Sequence, residues 1–577
     1  MAMGPITEHQ LMLFLVQFAL LLGACKLVGL VSKKLKQPAM IGDVLVGLFL
    51  GPAIFGRYAP ALQSAIFPSD AIQWTMLETV AWFGNLFLLM QTGLEINFSH
   101  VWKQRSNALK LSLADFAIPM LLSFAVLLFL PTRYLINPSQ RIIFSLFIAA
   151  IMTISAMPVA ISSMKELGII NTDVGFLIVS ALAMNDLMGW ITFTILLGIF
   201  AQGNVELGFI LRLVGLTLIF AVVSLTLFKR LVDKAITFIH TRLGAQTSYK
   251  TTFIVIIGML FGAITLKIGI HSLFGFFIAG IIVGGAKHLS EQDRTTVHRM
   301  VYSIFVPIFF AKIGLQINIL ANLDLPLLGL IFIIGVSFRF LGAYLGAIWT
   351  KQAKQNLKTI AIAHTPGGEM HIVISMLAYS ANLISERVFV SIVAASLLST
   401  VLFGPWLAAA LKKLRKDMVN FIFTKDNVFL NTTATTKKEL LHDLVKNVAI
   451  KIDLSEAYLK TEIWRREEQI STALGRGVAF PHAHLYGLSN SKLFVVKSIP
   501  GIDWDSPDGK NVHLIFLILN PANKPELQLR LMQSLTATVR NPKILGRMLA
   551  TDDTAKIHNL LKHHVADSKY FHIIEGI

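Results

Sequence analysis

An acidic residue and an amide residue stand side by side in the middle of a long apolar stretch. Asn185 and Asp186 occur in the sequence SALAMNDLMGW, within residues 174–200. A charged group at the centre of a membrane helix is costly to bury, so such residues mark the paths of ions and protons by default. The pattern predicts that Asp186, with Asn185, binds a transported ion or a proton. The alternative role is a hydrogen bond between helices.

Two other apolar stretches contain helix-breaking residues with polar groups beside them. One is MTISAMPVA, with Thr153, Ser155 and Pro158, and the other is HTPGGEMH, with Glu369. Interrupted segments at corresponding positions of two halves are the sequence pointer to an inverted-repeat transporter with its site at the membrane midplane. We therefore predict Thr153 and Ser155 as further groups that bind the cation or proton.

Charged residues in apolar stretches are candidates to balance the acid. Arg339 and Lys312 are basic, and either is expected to neutralise Asp186 or Glu369. Arginine keeps its proton, so Arg339 suits a fixed counter-charge. A desolvated lysine can lose its proton, so Lys312 remains the alternative partner. Two weaker acidic candidates also lie in apolar stretches, namely Glu95 and Asp115.

The composition is that of a membrane protein with a soluble part attached. The chain has 577 residues, of which 54% are hydrophobic and 15% charged, and its mean hydropathy is +0.66. We predict about thirteen membrane-spanning helices, because each apolar stretch is long enough to cross about 30 Å of hydrocarbon. The predicted spans are 10–31, 38–56, 78–96, 108–130, 142–165, 174–200, 207–229, 251–268, 270–288, 299–318, 326–349, 357–380 and 386–411. The single cysteine excludes a disulfide framework.

Basic residues are concentrated in alternate loops between these stretches. They follow the first stretch as Lys33, Lys34 and Lys36, and the last as Lys412 and Lys413. The positive-inside rule then places the N-terminus outside and the C-terminus in the cytoplasm of an inner-membrane protein. The net charge of +18 is accounted for by these loops, so we predict no nucleic-acid partner.

The composition changes after the last apolar stretch. The sequence becomes mixed and charged, with short strand-like runs at Leu493–Val496 and Val512–Leu519. We predict a membrane domain at 1–416, a linker at 417–436 and a soluble α/β domain at 437–577.

The membrane part resembles the monovalent cation:proton antiporter 2 family of sodium/proton and potassium/proton exchangers. The resemblance covers residues 10–412 and rests on several short motifs, namely QPAMIGD, QTGLE, SAMP, the Asn185-Asp186 pair and PIFF. It implies an all-α polytopic fold with inverted repeats and two broken crossing helices, whose core domain lies beside a dimerisation domain, and hence a homodimer. The family's ion-binding aspartate matches Asp186, and its basic partner matches Arg339.

The resemblance also implies a mechanism. In that family, Asn before the aspartate goes with electroneutral exchange, so one carboxylate would bind either one cation or one proton in an alternating-access cycle. Sodium and potassium stay open as the cation, and no resident cofactor is expected. The alternatives are a gated cation channel, a potassium efflux system, or a permease component linked to the phosphotransferase system.

The C-terminal part resembles a type IIA domain of the fructose/mannitol phosphotransferase system. The motifs are REEQISTALGRGVAFPHA and GIDWDSPDGKNVH. They imply that His482 accepts a phosphoryl group as phosphohistidine, steadied by Arg466. Gln528 stands where the family has a second histidine, and His484 is the candidate substitute. Two roles stay open: a phosphoryl acceptor served by HPr or another phosphotransferase protein, or a domain that binds a small regulatory ligand or a partner protein. We expect a regulated transporter and not an enzyme.

Overall fold

The computed structural model describes most of the chain, and it divides into two compact units. The described residues are 6–35, 37–96, 105–170, 172–202, 207–242, 247–430, 432–488, 490–522 and 525–566. The first unit comprises Met1–Glu166 and Val174–Leu407, and the second comprises Leu167–Asp173 and Ala408–Ile577.

The regular elements among the described residues of the first unit are helices, and the last of them continues into the second unit from Ala408. Its helices are α1 Glu8–Lys34, α2 Ala39–Leu50, α3 Phe55–Tyr58, α4 Pro60–Ile66, α5 Ala71–Glu95, α6 Arg105–Leu127, α7 Arg141–Thr153, α8 Met157–Glu166, α9 Asp173–Gln202, α10 Leu207–Val223, α11 Lys229–Arg242, α12 Thr247–Lys267, α13 Ser272–Gly284, α14 Glu291–Met300, α15 Val306–Gln316, α16 Ile319–Asn322, α17 Leu325–Trp349, α18 Leu357–Ala363, α19 Gly368–Ser380 and α20 Glu386–Ile422. Two π-helical turns, Ser224–Phe228 and Val301–Phe305, join α10 to α11 and α14 to α15.

Ten helical stretches among the described residues are long and apolar enough to cross a membrane. The other predicted spans fall on α5, on α13, which is short, and on the α18–α19 pair, which is interrupted. All three regions are helical. α5 contains too many polar residues to count as an apolar span, α13 is too short, and the α18–α19 pair is divided by its break. The count of thirteen therefore stays a prediction.

Glycines allow pairs of these helices to pack with their backbones in contact. A Cβ atom on Gly47 of α2 would lie 2.0 Å from the carbonyl oxygen of Ala311 on α15. A Cβ atom on Gly280 of α13 would lie 2.1 Å from the carbonyl oxygen of Met90 on α5. Small residues that permit close approach are typical of membrane helix interfaces, so any larger residue at Gly47 or Gly280 would push these helices apart.

Two helices are interrupted where the sequence predicts breaks. α7 ends at Thr153 and α8 begins at Met157, just before Pro158. α18 ends at Ala363 and α19 begins at Gly368, so Pro366 lies in the gap. Proline lacks an amide hydrogen and disfavours helix in the residue before it, so Pro158 and Pro366 each favour a break at their position.

The second unit includes the end of α20, from Ala408 onwards, and is built around a mixed β-sheet. The strands are β1 Val428–Phe429, β2 Ala473–Gly475, β3 Val478–Ala479, β4 His482–Leu485, β5 Lys492–Ile502 and β6 Val512–Pro521. Their order is β1-β5-β6-β3-β2, with β4 also paired to β6. The helices are α21 Lys437–Ile452, α22 Glu456–Gln469, α23 Pro525–Arg540, α24 Pro542–Ala550 and α25 Thr554–Ala566. β5 and β6 contain the two predicted strand-like runs.

The segment predicted as a linker, 417–436, contributes to this domain. It holds the end of α20, a 3-10 turn at Lys425–Asn427 and strand β1, which pairs in parallel with β5. Val428 is buried, which accounts for an ordered strand where composition predicts only a connection.

Candidate functional sites

The two helix interruptions meet each other through their backbones. The amide of Ala156 donates to the carbonyl oxygen of Pro366 at 2.8 Å, and the Ser155 hydroxyl donates to the carbonyl oxygen of His364 at 3.0 Å. Broken membrane helices need such partners because lipid offers none to a free backbone group. The breaks therefore form a polar crossing inside an apolar helical unit.

Asp186 is a buried carboxylate without a hydrogen-bond donor. Its side chain is 0% exposed, and neither carboxylate oxygen has a hydrogen-bond partner among the residues that the structure describes. It lies on α9, more than two turns from either end. An ionised carboxylate in such surroundings is strongly destabilised unless a proton or a cation neutralises it. Both are ligands that this group can bind.

The neighbouring amide is used differently. Asn185 Nδ2 donates to Asp115 Oδ2 at 2.9 Å, which ties α9 to α6. Asp115 is itself 0% exposed. The helix–helix hydrogen bond considered for the pair is therefore present for Asn185, while Asp186 has no hydrogen-bond partner in the described part of the chain. Asp115, a weaker candidate in the sequence, is a direct neighbour of the site.

Arg339 supplies positive charge to these acids. Its Nη2 donates to the carbonyl oxygen of Pro366 at 3.0 Å, so the side chain contacts the crossing of the two broken helices directly. It is fully buried, and its charge acts on both Asp115 and Asp186. Since Glu369 also acts on Asp186, one guanidinium faces more than one acid. The surplus negative charge favours the uptake of a proton or a cation.

Lys312, the other basic candidate, is paired elsewhere. Its Nζ lies 3.4 Å from Oε1 of Glu78, which belongs to α5. The small cavity beside this pair is lined by residues of α5, α15 and α19, including Trp82 and Ser380. The structure thus groups Arg339 with Asp186, and Lys312 with Glu78.

The remaining candidates of the membrane part lie at or beside the crossing. The Thr153 hydroxyl donates to the carbonyl oxygen of Ala150 at 2.7 Å, within its own helix. Ser155 donates across the break, and its oxygen can still accept. Glu369 opens α19, and its buried Oε1 has no partner in the described part of the chain. These three side chains supply oxygens, which are the ligands that hard monovalent cations prefer.

His482 begins β4 and contacts Arg466 on α22. Its Nδ1 lies 2.9 Å from the carbonyl oxygen of Phe480, and its Nε2 lies 3.1 Å from Arg466 Nε. A carbonyl only accepts and a guanidinium only donates, so Nδ1 carries the proton and Nε2 presents its lone pair. Burial holds the pKa of His482 below its usual value, and the charge of Arg466 lowers it further. The neutral ring is the nucleophilic form.

A buried acid, Glu467, fixes the helix that carries Arg466. Its carboxylate accepts from Thr472 Oγ1 at 2.6 Å and from Trp504 Nε1 at 2.9 Å. Lys437 Nζ adds an ion pair at 2.8 Å. Sequence reasoning missed this positioning residue, although its place within the REEQIST motif was the available signal. His484 is exposed, and Gln528 Nε2 donates to the sulfur of Met532 at 3.4 Å.

Residues 18–413 match the family described as "Sodium/hydrogen exchanger, transmembrane", which is well over half of the chain. The chain belongs to the sodium/hydrogen exchanger family. Residues 421–564 of this exchanger-family protein match a second family, "Phosphoenolpyruvate-dependent sugar phosphotransferase system, EIIA 2". The predicted resemblances of the membrane and C-terminal parts are both confirmed, and the protein is a multi-pass membrane protein.

Named relatives and a solved structure agree with the family. The Na(+)/H(+) antiporter NhaS4 of Synechocystis is 28% identical over 408 residues, which are 69% of this chain and 97% of that protein. The K(+)/H(+) antiporter 1 of Saccharomyces cerevisiae is also 28% identical, but only 46% of its length is covered. The sodium proton antiporter MjNhaP1 of Methanocaldococcus jannaschii has a TM-score of 0.54 at 20% identity, covering 70% of this chain and 99% of that one. This likeness shows the fold of the membrane part.

Proposed function

We propose that this protein is a secondary antiporter that exchanges a monovalent cation, Na⁺ or K⁺, for a proton at Asp186. The observation that carries the proposal is the buried carboxylate of Asp186, which has no hydrogen-bond donor among the described residues. Asp186 lies about one turn before Gly189, and Gly189 packs against Ile154 in the first helix break. The relatives NhaS4, an Na(+)/H(+) antiporter, and the yeast K(+)/H(+) antiporter 1 support the reaction class.

Competition for one carboxylate couples the two ions. A proton bound to Asp186 removes the charge that holds a cation, and a bound cation repels the proton. In either loaded form the site is close to neutral, so it can pass the apolar barrier, whereas the bare carboxylate is too costly to carry through. Alternating access then converts the gradient of one ion into transport of the other.

One-for-one, electroneutral exchange follows if Asp186 is the only acid that changes its ligand. Asp115 accepts from Asn185 and faces Arg339, so its charge has local compensation. Arg339 stays protonated and serves as the fixed counter-charge. Thr153 and Ser155 supply neutral oxygens for the cation, and Glu369 adjusts the field at the site.

The proposed architecture has thirteen spans with inverted repeats, in a homodimer in the inner membrane. The N-terminus lies outside and the C-terminal domain in the cytoplasm. Support comes from the alternating basic loops and from the ten apolar spans. The two interrupted helices are consistent with paired repeats.

The C-terminal domain is proposed to accept a phosphoryl group on His482 and to regulate transport. Nε2 would attack the phosphorus of a phosphohistidine on HPr or a related protein. The new N–P bond forms as the donor's N–P bond breaks, and the donor imidazole leaves with the electron pair. Arg466 then exchanges its bond to Nε2 for bonds to the phosphate oxygens.

A contact inside the second unit supports this regulatory role. Arg415 Nη2, on the end of α20, donates to the carbonyl oxygen of Leu167 at 2.8 Å. The segment Leu167–Asp173 joins α8, which follows the break, to α9, which carries Asp186. The same end of α20 reaches Phe423, whose carbonyl oxygen lies 3.1 Å from His558 Nε2. A change in the soluble domain therefore has a covalent and hydrogen-bonded route to the segment before α9.

The proposal is tested by exchange in everted membrane vesicles that carry an imposed proton gradient. Addition of Na⁺, K⁺ or Li⁺ in turn should dissipate the gradient at a saturable rate for at least one cation. Asp186→Asn should abolish the response. Asp173→Asn, an exposed acid on the first turn of the same helix, is the matched control and should retain it. Exchange that persists in Asp186→Asn at equal expression overturns the assignment.

A further inference from the structure

A groove lies between α21 and α22 of the soluble domain, away from the His482 ring. It encloses about 390 Å³, which falls within the range of about 300–1,000 Å³ that is usual for small-molecule sites. Both walls are helical and belong to the same compact unit. The groove is therefore a preformed concave surface on rigid elements.

The floor of the groove is apolar and includes an indole ring. Leu441, Val445 and Ile463 are buried in the domain core, and Trp464 is half-buried beside them. These side chains offer a flat apolar surface to an occupant. An aromatic or planar body gains both burial and stacking on an indole.

The rim of the groove is cationic. Lys438, Lys460 and Arg465 line it, together with a single acid, Glu468. Lys438 and Lys460 are exposed and come from opposite walls. The Arg465 guanidinium forms an ion pair with Glu462, three residues earlier on the same helix. Two lysines and an arginine around an apolar floor form the pattern expected for a phosphate or carboxylate attached to an apolar group.

We propose that this groove binds a small organic anion with a flat apolar body, such as a nucleoside monophosphate or an aryl phosphate. The body packs on Trp464 and Leu441, and the anionic group lies between Lys438 and Lys460. The inference does not depend on the antiport proposal, because it concerns binding to the soluble domain alone.

The position of the groove connects it to the candidate phosphohistidine. Arg465 lines the groove, and the next residue, Arg466, donates to His482 on the other side of α22. A ligand that binds Arg465 acts on the same helix that carries Arg466, whose side chain is hydrogen-bonded to His482. A metabolite bound in the groove could therefore change the surroundings of His482, the residue that would receive a phosphoryl group.

The test is calorimetric titration of the full-length protein in detergent, with empty micelles as the reference. The probes are adenosine monophosphate and 1-naphthyl phosphate, compared with adenosine, 1-naphthol and inorganic phosphate. We expect saturable binding of at least one of the two complete probes, at least about tenfold tighter than that of either of its halves. If neither complete probe binds more tightly than its halves, the proposal is overturned.

Two variants locate the binding. The double variant Lys438→Ala/Lys460→Ala should bind the probe with at least about tenfold lower affinity, because two charge-assisted contacts are lost. Lys446→Ala removes an exposed lysine from the same helix outside the groove, and should leave affinity unchanged. Equal losses in both variants would show a diffuse charge effect and would overturn the groove as the site. Trp464→Phe gives a second readout, because the quenching of Trp464 fluorescence by the bound probe should be absent in this variant.

Discussion

The Asn185 side-chain amide donates to Asp115 Oδ2 at 2.9 Å, whereas Asp186, one residue further on, has no hydrogen-bond donor among the described residues. Successive residues of a helix point in directions about 100° apart, so two adjacent polar groups cannot both face the same neighbour. The pair thus divides its roles: Asn185 joins two helices, and Asp186 remains available for an exchangeable ligand.

The Asn185–Asp115 bond should contribute to stability. Asn185→Ala leaves Asp115 Oδ2 buried without its donor, which should cost about 1–3 kcal/mol. We expect a lower midpoint of thermal unfolding in detergent for this variant. A double-mutant cycle with Asp115→Ala is the control, and the loss of stability in the double variant should be smaller than the sum of the two single losses. Additive losses would contradict a direct bond.

The two basic candidates should behave differently in transport. Arg339→Ala leaves Asp115 and Asp186 without their buried counter-charge and removes the bond to Pro366, so we expect exchange to fall by at least about a hundredfold, equivalent to about 2.7 kcal/mol. Lys312→Ala removes a partner of Glu78 and should retain measurable exchange. The measurement is the rate of gradient dissipation at equal expression. Loss in Lys312→Ala with activity in Arg339→Ala would reverse the assignment.

Glu369→Gln distinguishes a tuning acid from an exchanging one. If Asp186 alone changes its ligand, the variant should keep one-for-one exchange while its apparent cation affinity changes. The measurement is exchange by purified protein in liposomes at several imposed membrane potentials. The rate should be independent of the potential for both wild type and variant. A wild-type rate that depends on the potential, and loses this dependence in Glu369→Gln, would assign Glu369 a second proton.

The histidine site predicts a specific pH dependence. Burial first, and then the Arg466 charge, lower the pKa of His482 from its ordinary value. The folded state therefore favours the neutral ring. This residue's contribution to stability is fully present above about pH 6.5 and is lost as the pH falls from there towards the lowered folded pKa. Phosphoryl acceptance from HPr should persist at about pH 6, where an ordinary histidine is mostly protonated.

Arg466→Gln is the comparison for that profile, because it removes a cause of the lowered pKa. The variant should accept the phosphoryl group more slowly than wild type, and the midpoint of its pH profile should move to higher pH. Any effect of pH on the donor cancels in the ratio of variant to wild type. His482→Ala should accept nothing. A constant ratio across the pH range would contradict the electrostatic role of Arg466.

The Arg415–Leu167 bond predicts a loss of regulation without a loss of transport. Arg415→Ala should exchange ions at the unregulated wild-type rate. The difference in rate between protein treated with phosphorylated HPr and untreated protein should shrink or vanish. Lys416→Ala, the adjacent basic residue, is the matched control and should keep the difference. A full response in Arg415→Ala would exclude this bond as the route.

The sequence was sufficient to identify elements whose residues conflict with their surroundings. Asp186 stood out because a carboxylate is costly in an apolar helix, and the breaks at Pro158 and Pro366 followed from backbone chemistry. Partnerships between distant residues were out of reach: Asn185 and Asp115 lie 70 positions apart. Nothing local separates Arg339 from Lys312, because the difference lies in the helix that each faces. Strand β1 was missed because two residues give no measurable period.

The most direct test of the account is the proton released when a cation binds. Purified protein in weakly buffered detergent solution is titrated with Na⁺ and, separately, with K⁺, while cation binding and pH are followed together. The account predicts about one proton released for each cation bound, at a pH where Asp186 is protonated before the addition. Asp186→Asn should bind no cation and release no proton. Saturable binding by the wild type without proton release, across the pH range in which the protein transports, would contradict competition at a single carboxylate.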